Sequence, residues 1–458
     1  MHMKRYIREG VEALKGISFQ MPGHKQRKFE DDFDFIKHDV TETWTTDNLL
    51  NPQGCIRESE REMERIFETK RSYYMVNGSS GSLICAIAAA TKPGDRILVQ
   101  RNCHKSVFNA AVIARLKLSY FHANYDKKEN LITDADPKVI EKALEENGDI
   151  SCVVITSPNY FGVTSRVKEI ADIVHAHGAV LIVDEAHGPH LPFSAYREKS
   201  ALFQDADLVI HSPHKTLPAL TQTSLLHLVS NRIDEKRLMK TIILFTTTSP
   251  SYIFTQNMEG ALDFMETRGG ELLSANEGYI KEMEDKLKGK VIFYKPSNGV
   301  FKEPMKVLFR IPGLTGFEIV RSLYFDYNIR VEMADFYYVL AIATVMNTKE
   351  DYEILTRALA EISEKARKEI DLPKFEEKNP EKKMEAYEAF HKKSLRLPYE
   401  KTEGRVAASI VAPYPPGVPI LIPGELVDRE IIETLGEYLK YGAHIVGIED
   451  GMMEVIDE

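Results

Sequence analysis

Cysteine is scarce in this chain: Cys55, Cys85, Cys103 and Cys152 are the four in 458 residues, and none stands in CxxC spacing. That excludes a zinc ribbon and a disulfide scaffold, and leaves reduced, mostly buried thiols as the expectation. No apolar run approaches the roughly 20 residues of a membrane span, and the N-terminus lacks a signal-peptide core. The expected location is therefore cytoplasmic, with no membrane partner. Surplus positive charge is also absent. The formal net charge is −10, which argues against nucleic acid as a partner, because phosphate binding needs a basic face. There is no internal repeat and no low-complexity tract. What remains, at 43% hydrophobic and 28% charged, is the composition of a soluble globular protein long enough for two or three domains.

The chain is organised around residues 180–215. Val180 to Val183 and Leu208 to Ile210 are short β-branched or aliphatic runs without polar alternation, as expected of strands buried on both faces. The first stops at Asp184 and the second runs into Ser212-Pro213-His214-Lys215. In an open parallel sheet, ligands gather beyond the carboxyl ends of strands, so Asp184 and Lys215 are predicted to face one pocket. The two residue types suit pyridoxal phosphate. A desolvated lysine amine can condense with an aldehyde, and a carboxylate beside the pyridine nitrogen keeps the ring protonated and able to accept electrons.

Further strand ends carry polar groups. Tyr73 to Val76, then Asn77-Gly78-Ser79-Ser80-Gly81-Ser82, then an alanine-rich run predict a strand, a small-residue turn and a buried helix. Such a helix start offers free N–H groups to a phosphate. It matches neither GxGxxG nor the Walker pattern, which lowers dinucleotide and ATP readings. Arg96 to Val99 predicts a strand leading to Arg101-Asn102-Cys103-His104, where an imidazole could stack on a planar ring. Helices are expected at Ile56 to Thr69, Pro137 to Glu146 and Val167 to His177 with Gly178 as cap, and a strand at Cys152 to Thr156. Alternation of this kind means a doubly wound, mainly parallel sheet.

Beyond Ser224 a polar helical stretch is expected, up to the hydroxyl run Thr246 to Ser249. Strands at Val291 to Tyr294, Val307 to Ile311 and Ile329 to Val331, around a helix from Gly316 to Tyr327, predict a smaller α/β domain closed by a helix from Leu355 to Ile370. Residues 371–385 read as a charged linker, and the proline-rich stretch Val411 to Pro419 suits neither helix nor central strand. The expected division is an N-terminal segment 1–50, a large cofactor-binding domain 51–250, a smaller α/β domain 251–370 and a C-terminal domain 371–458. By itself, His24-Lys25 after Met21-Pro22-Gly23 reads as a surface loop first, with an anion contact as the alternative.

These segments together resemble the bacterial Orn/Lys/Arg decarboxylases. The likeness rests on PGHK at 22–25, DVTETWTTDNL at 39–49, VNGSSGS at 76–82, RNCHKS at 101–106, DEAHG at 184–188, SPHKTLPALTQTS at 212–224 and APYPPGVPILIPGE at 412–425. It implies an α/β protein of the PLP-dependent fold type I, with a large mainly parallel sheet domain and smaller α/β C-terminal domains, in a short form without an N-terminal wing domain. It implies pyridoxal 5'-phosphate held by Lys215, with Asp184 at the pyridine nitrogen and His104 stacked on the ring. Ser79, Ser80 and Ser212 would take the phosphate, His187 would lie near the ring, and His214 would act as a proton donor. Catalytic candidates are Lys215, Asp184, His104 and His214. The implied reaction releases CO2 from a basic amino acid, arginine before lysine or ornithine, to give a polyamine-pathway amine.

Candidate anions for the substrate tail are Glu42, Asp47, Glu332 and Asp335, and Arg405 is the candidate for its α-carboxylate. Asp47-Asn48-Leu49 departs from the Asp-Asp-Leu common in relatives, which removes one negative charge. The implied assembly is a homodimer or higher homo-oligomer with active sites at the subunit interface, the Thr246 to Ser249 run reaching the neighbour's phosphate. Competing readings are another fold type I enzyme (aminotransferase, aldolase or oxidase) and an inactive regulatory homologue. The HxxH pairs His187/His190 and His211/His214 raise a metallohydrolase, but no third ligand is evident and no metal site is expected.

Overall fold

A computed structural model describes residues 11–29, 35–296, 299–366, 380–414, 418–440 and 442–457. The short apolar runs of the first half form one seven-stranded sheet. In chain order its strands are β1 (Arg71–Met75), β2 (Arg96–Gln100), β3 (Lys117–Phe121), β4 (Ile150–Thr156), β5 (Val180–Asp184), β6 (Leu208–His211) and β7 (Ser224–Leu228). They lie side by side in the order β1-β7-β6-β5-β4-β2-β3. Every neighbouring pair is parallel except the two made by β7. Alternate residues enter opposite apolar layers: Leu181 and Val183 one, Ile182 the other. Both faces are covered, which is why these strands show no polar alternation.

Strand β7 departs from the expectation of a helix beyond Ser224. Ser224–Leu228 is buried throughout and pairs with both β1 and β6, and the helix starts only at Glu235. Three leucines in five residues fit a buried strand or a helix turn equally well by periodicity, and here the two neighbouring edges decide.

Helix α1 (Cys55–Phe67) buries Ile56, Met63 and Phe67 on one stripe. Helix α2 (Gly78–Ala90) follows β1 and is apolar nearly all round, as suits a helix buried on the sheet. Helices α3 (Lys105–Ala114), α4 (Pro137–Glu146) and α5 (Val167–Ala176) follow, and Gly178, at φ +75°, ends the turn after α5.

The smaller antiparallel sheet contains β8 (Ile292–Phe293), β9 (Lys306–Arg310), β10 (Met333–Ala334) and β11 (Val339–Ile342), ordered β8-β9-β11-β10. The expected strand Ile329–Val331 forms but belongs elsewhere: it pairs in parallel with Ile17–Phe19, tying the N-terminal segment to this half. The helix Gly316–Tyr327 starts at a capping box between Thr315 and Glu318. The closing helix runs Lys349–Ser363, earlier than expected, because Thr348 and Asp351 form another such box. Part of the expected linker, and Pro415 to Gly417 of the proline-rich stretch, lie outside the described residues. Ala412–Tyr414 is a strand in a two-stranded pairing with His444–Val446, where Pro413 is tolerated. The C-terminal part meets the large sheet through Arg101 and Glu425, a pair 2.9 Å apart and 1% exposed on each side. Among the described residues, no helix is long and apolar enough to cross a membrane.

Candidate active site

Asp184 is the last residue of β5, beside Thr156 of β4 and Ile210 of β6 at the carboxyl edge of the sheet. Its side chain is 4% exposed, and Oδ1 accepts the Ala186 N–H at 3.2 Å. Burial raises its pKa, and the charge of Lys215 opposes that rise. Lys215 sits one turn beyond β6, in the helical turn Pro213–Thr216 whose first position is the proline that such a turn accepts. Burial lowers its pKa, against the pull of Asp184 and Glu332. An amine of this kind gives up its proton more readily than a solvated lysine.

His187, on the loop after β5, is 5% exposed and meets lysines on both sides. Its Nε2 is 3.1 Å from Lys215 Nζ, and its Nδ1 is 2.6 Å from Lys306 Nζ. The Tyr160 ring stands edge-on to the imidazole with centroids 5.1 Å apart, and Tyr160 donates its hydroxyl to Glu332 Oε1 at 2.8 Å. The other Glu332 oxygen accepts the Met21 N–H at 2.8 Å. Burial pushes Lys306 down to about 7 and Lys25 likewise to about 7.

The His24-Lys25 expectation is corrected here. Lys25 is 6% exposed and donates to the carbonyls of Gln20 (2.7 Å) and Ile342 (3.0 Å). The reason is local: Gly23 packs backbone against backbone on the residues around Lys215, which draws the segment in, so that Lys25 is buried and His24 half-buried.

The helix start after β1 is tied to the same region. Gln222 donates to the Val76 carbonyl at 2.8 Å, and Asn77 to the Phe245 carbonyl at 2.7 Å. Ser79 is half-buried and Ser80 exposed in the first turn of α2, whose cap residue Asn77 makes no side-chain capping bond. Ser212 is fully buried, and its hydroxyl has no partner among the described residues. It occupies a cap position without capping. An orphaned buried hydroxyl, a desolvated amine and a buried carboxylate facing that amine fit a ligand with an anionic group, an aldehyde and a ring nitrogen that carries a proton. Pyridoxal phosphate meets all three requirements.

His104 caps α3: its Nδ1 accepts from the Ser106 hydroxyl at 2.8 Å and the Ser106 N–H at 3.3 Å. His214 directs Nδ1 at the Thr223 carbonyl, 2.9 Å away, and burial lowers its pKa to about 4. That bond makes Nδ1 the protonated nitrogen of the neutral ring, so Nε2 carries the lone pair. The four HxxH histidines find separate partners: His190 meets Glu303 at 3.1 Å and His211 meets Glu185 at 2.8 Å.

Of the anion candidates, Glu332 acts electrostatically on Lys215, raising its pKa. Asp47 and Asp335 instead accept backbone N–H groups of their own loops, Gly54 at 2.7 Å and Tyr338 at 2.6 Å respectively. Glu42 is exposed and pairs with Thr41, and Arg405 lies in the C-terminal part, its carbonyl held by Val427 N–H at 2.8 Å. Lys306, Glu303 and Tyr160 carried no recognisable signal in sequence. A lysine that opens an apolar strand looks like any surface lysine until another segment covers it.

Residues 7–291 match the model of the Orn/Lys/Arg decarboxylase major domain, and residues 370–450 that of the Orn/Lys/Arg decarboxylase C-terminal domain. An arginine decarboxylase of Bacillus anthracis is 29% identical over 96% of this chain and 93% of that protein. An inducible lysine decarboxylase of Escherichia coli (strain K12) is 24% identical over 97% of this chain and 77% of that protein. Among solved structures, the constitutive lysine decarboxylase of E. coli superposes with a TM-score of 0.81 at 21% identity, covering 92% of this chain and 76% of that one. An alanine–glyoxylate aminotransferase from Nostoc sp. gives a TM-score of 0.58 at 13% identity over 79% of this chain and all of that one. These structural likenesses show the α/β fold.

Proposed function

The chain belongs to the Orn/Lys/Arg decarboxylase family, and from that premise we propose that it releases CO2 from a basic amino acid with pyridoxal 5'-phosphate as cofactor. Arginine is the first substrate to test, then lysine and ornithine, and the product is an amine of the polyamine-pathway kind. The observation that carries this reading is the desolvated Lys215 amine set against buried Asp184 at the sheet's carboxyl edge.

When bound, the cofactor supplies an aldehyde carbon and an electron-accepting ring. Lys215 would hold it covalently, and Asp184 would hold a proton at the ring nitrogen. Ser212 Oγ and the N–H groups of Ser79 and Ser80 would bind the phosphate, and His104 would stack on the ring. Glu332 would meet the cationic tail of the substrate, offsetting the cost of stripping water from it. His214, with its lone pair on Nε2, accepts a proton before it can donate one. Competing proton transfers are limited by keeping water out of the pocket. We further propose a homodimer or larger assembly with the site at the interface. Trp44, fully exposed, and Leu244, 74% exposed, support burial against a second copy.

The test is direct. Load the protein with cofactor, reduce one portion with borohydride to map the modified lysine, and incubate another with arginine, lysine or ornithine while measuring CO2 and amine. A pyridoxyl group on Lys215 with release from one substrate is expected. Release from none by the unreduced portion, when the reduced portion carries the pyridoxyl group on Lys215, defeats the decarboxylase reading.

A further inference from the structure

We propose that Glu425 is a positioning residue which, acting through Arg101, fixes the turn that carries His104. The inference rests on the reading of His104 as the residue stacked on the cofactor ring. It joins the charged ends of two sequence motifs, RNCHKS and APYPPGVPILIPGE, which lie 324 positions apart.

Arg101 is the first residue beyond β2, and its backbone N–H donates to the Phe121 carbonyl of β3 at 2.9 Å. Its side chain turns away from the large sheet's own polar groups. Nη2 donates to Glu425 Oε2 at 2.9 Å and to the Ile420 carbonyl at 3.0 Å, and the Tyr120 ring centre lies 5.1 Å from the guanidinium carbon. A guanidinium keeps its charge in a protein, so a buried one needs an anion against it. Glu425 supplies that anion from the C-terminal part. The same Oε2 accepts the Ile422 N–H at 2.9 Å, which ties the carboxylate to a backbone whose Ile422 side chain enters the apolar layer beside Val107 and Phe108 of α3.

Only Asn102 and Cys103 separate Arg101 from His104, and both are held. Gln100 Nε2 donates to Asn102 Oδ1 at 2.8 Å, and the Cys103 N–H donates to the Gln100 carbonyl at 2.9 Å. A turn this short passes a movement of Arg101 on to His104. The ring is fixed in turn to the start of α3, because its Nδ1 is taken by Ser106.

The C-terminal part also holds the far side of His104. The short helix Ala386–Phe390 packs on α3, and Ala386 shares its apolar layer. Next to it, Glu385 accepts the Leu118 N–H at 3.1 Å and Lys382 donates to the Leu118 carbonyl at 2.9 Å, so side chains satisfy the backbone of β3, the edge strand of the sheet. The turn before His104 and the helix after it are thus both gripped from the C-terminal part. Of these contacts, the ion pair with Arg101 is the one that touches the turn itself.

The test uses the full chain at pH 8, which keeps Glu425 ionised, since burial raises its pKa to about 7 against the charge of Arg101. Glu425→Gln keeps the shape and an acceptor oxygen but leaves the arginine charge unmatched. In the cofactor-free protein, hydrogen exchange at residues 101–108 should quicken about tenfold while residues 71–90 stay unchanged. In the loaded protein, the cofactor Kd should rise about tenfold and the visible absorption band should move, as a ring contact is loosened. Glu425→Asp, which keeps the anion, should recover part of each effect. Faster exchange confined to residues 418–426, with Kd and absorption unaltered, overturns the proposal and leaves the pair as a fastening of the C-terminal part.

Should Glu425→Gln not fold, the double variant Arg101→Met/Glu425→Leu decides, because an apolar pair can replace a buried ion pair with little loss of stability. A raised Kd and a moved band in that folded variant support the positioning role, and values equal to those of the unmodified protein overturn it. The exchange measurement needs no cofactor, so it is decided apart from the cofactor reading, whose failure shows as a pyridoxyl group on a lysine other than Lys215.

Discussion

The backbone N–H of Gly23 donates to the carbonyl of His214 at 2.6 Å, so the N-terminal segment is stitched to the residue before Lys215. The approach is so close that a Cβ on Gly23 would sit 2.1 Å from the Leu217 carbonyl oxygen, a backbone atom that cannot swing aside. Gly23→Ala is therefore expected to cost about 1–3 kcal/mol of stability, as overpacking does. Urea unfolding of the cofactor-free protein checks it, and an unchanged midpoint would mean that the two segments separate easily.

Ser212→Ala separates stability from ligand binding. The hydroxyl is buried without a partner among the described residues, so removing it should leave the cofactor-free protein as stable or slightly more so. Cofactor affinity should fall about tenfold, the worth of one hydrogen bond to a charged group. Equilibrium binding and thermal unfolding measure the two effects. Lower stability with unaltered affinity would make Ser212 a structural residue only.

Asp184→Asn keeps the shape at the end of β5 but removes the anion. Turnover should drop on the order of a hundredfold or more, about 3 kcal/mol in the barrier. Steady-state kinetics at saturating cofactor provide the check, and a nearly unchanged rate takes Asp184 out of that role.

His227 offers a pH test away from the site. It is fully buried between Ser72 (2.8 Å) and His211 (3.2 Å), and burial holds its pKa well below 6.5. Below pH 6.5 the unfolded chain binds a proton there that the folded chain does not, so stability is present above that pH and is lost as pH falls. Each unit of acidification should cost the native protein about 1.4 kcal/mol through this group. His227→Gln should flatten the slope by that amount between pH 6.5 and 5, measured from urea midpoints. Parallel slopes would mean that the buried ring is charged.

The seven-stranded sheet was largely legible from sequence, because apolar runs such as Val180 to Val183 report burial on both faces through side-chain pattern alone. The places of Asp184 and Lys215 were legible too, since each stands where such a run stops. Ser224–Leu228 was not: its three leucines suit a strand or a buried helix turn, and only the open edges of β1 and β6 select between them. Lys25 and Lys306 were invisible for a related reason. The chain itself determined where strands and helices form, through sterics and hydrophobic period acting over a few neighbouring residues. The tertiary structure alone decided which lysines lose their water and which imidazole stands between two of them, because desolvation and proton placement depend on groups brought together from positions 119 residues apart.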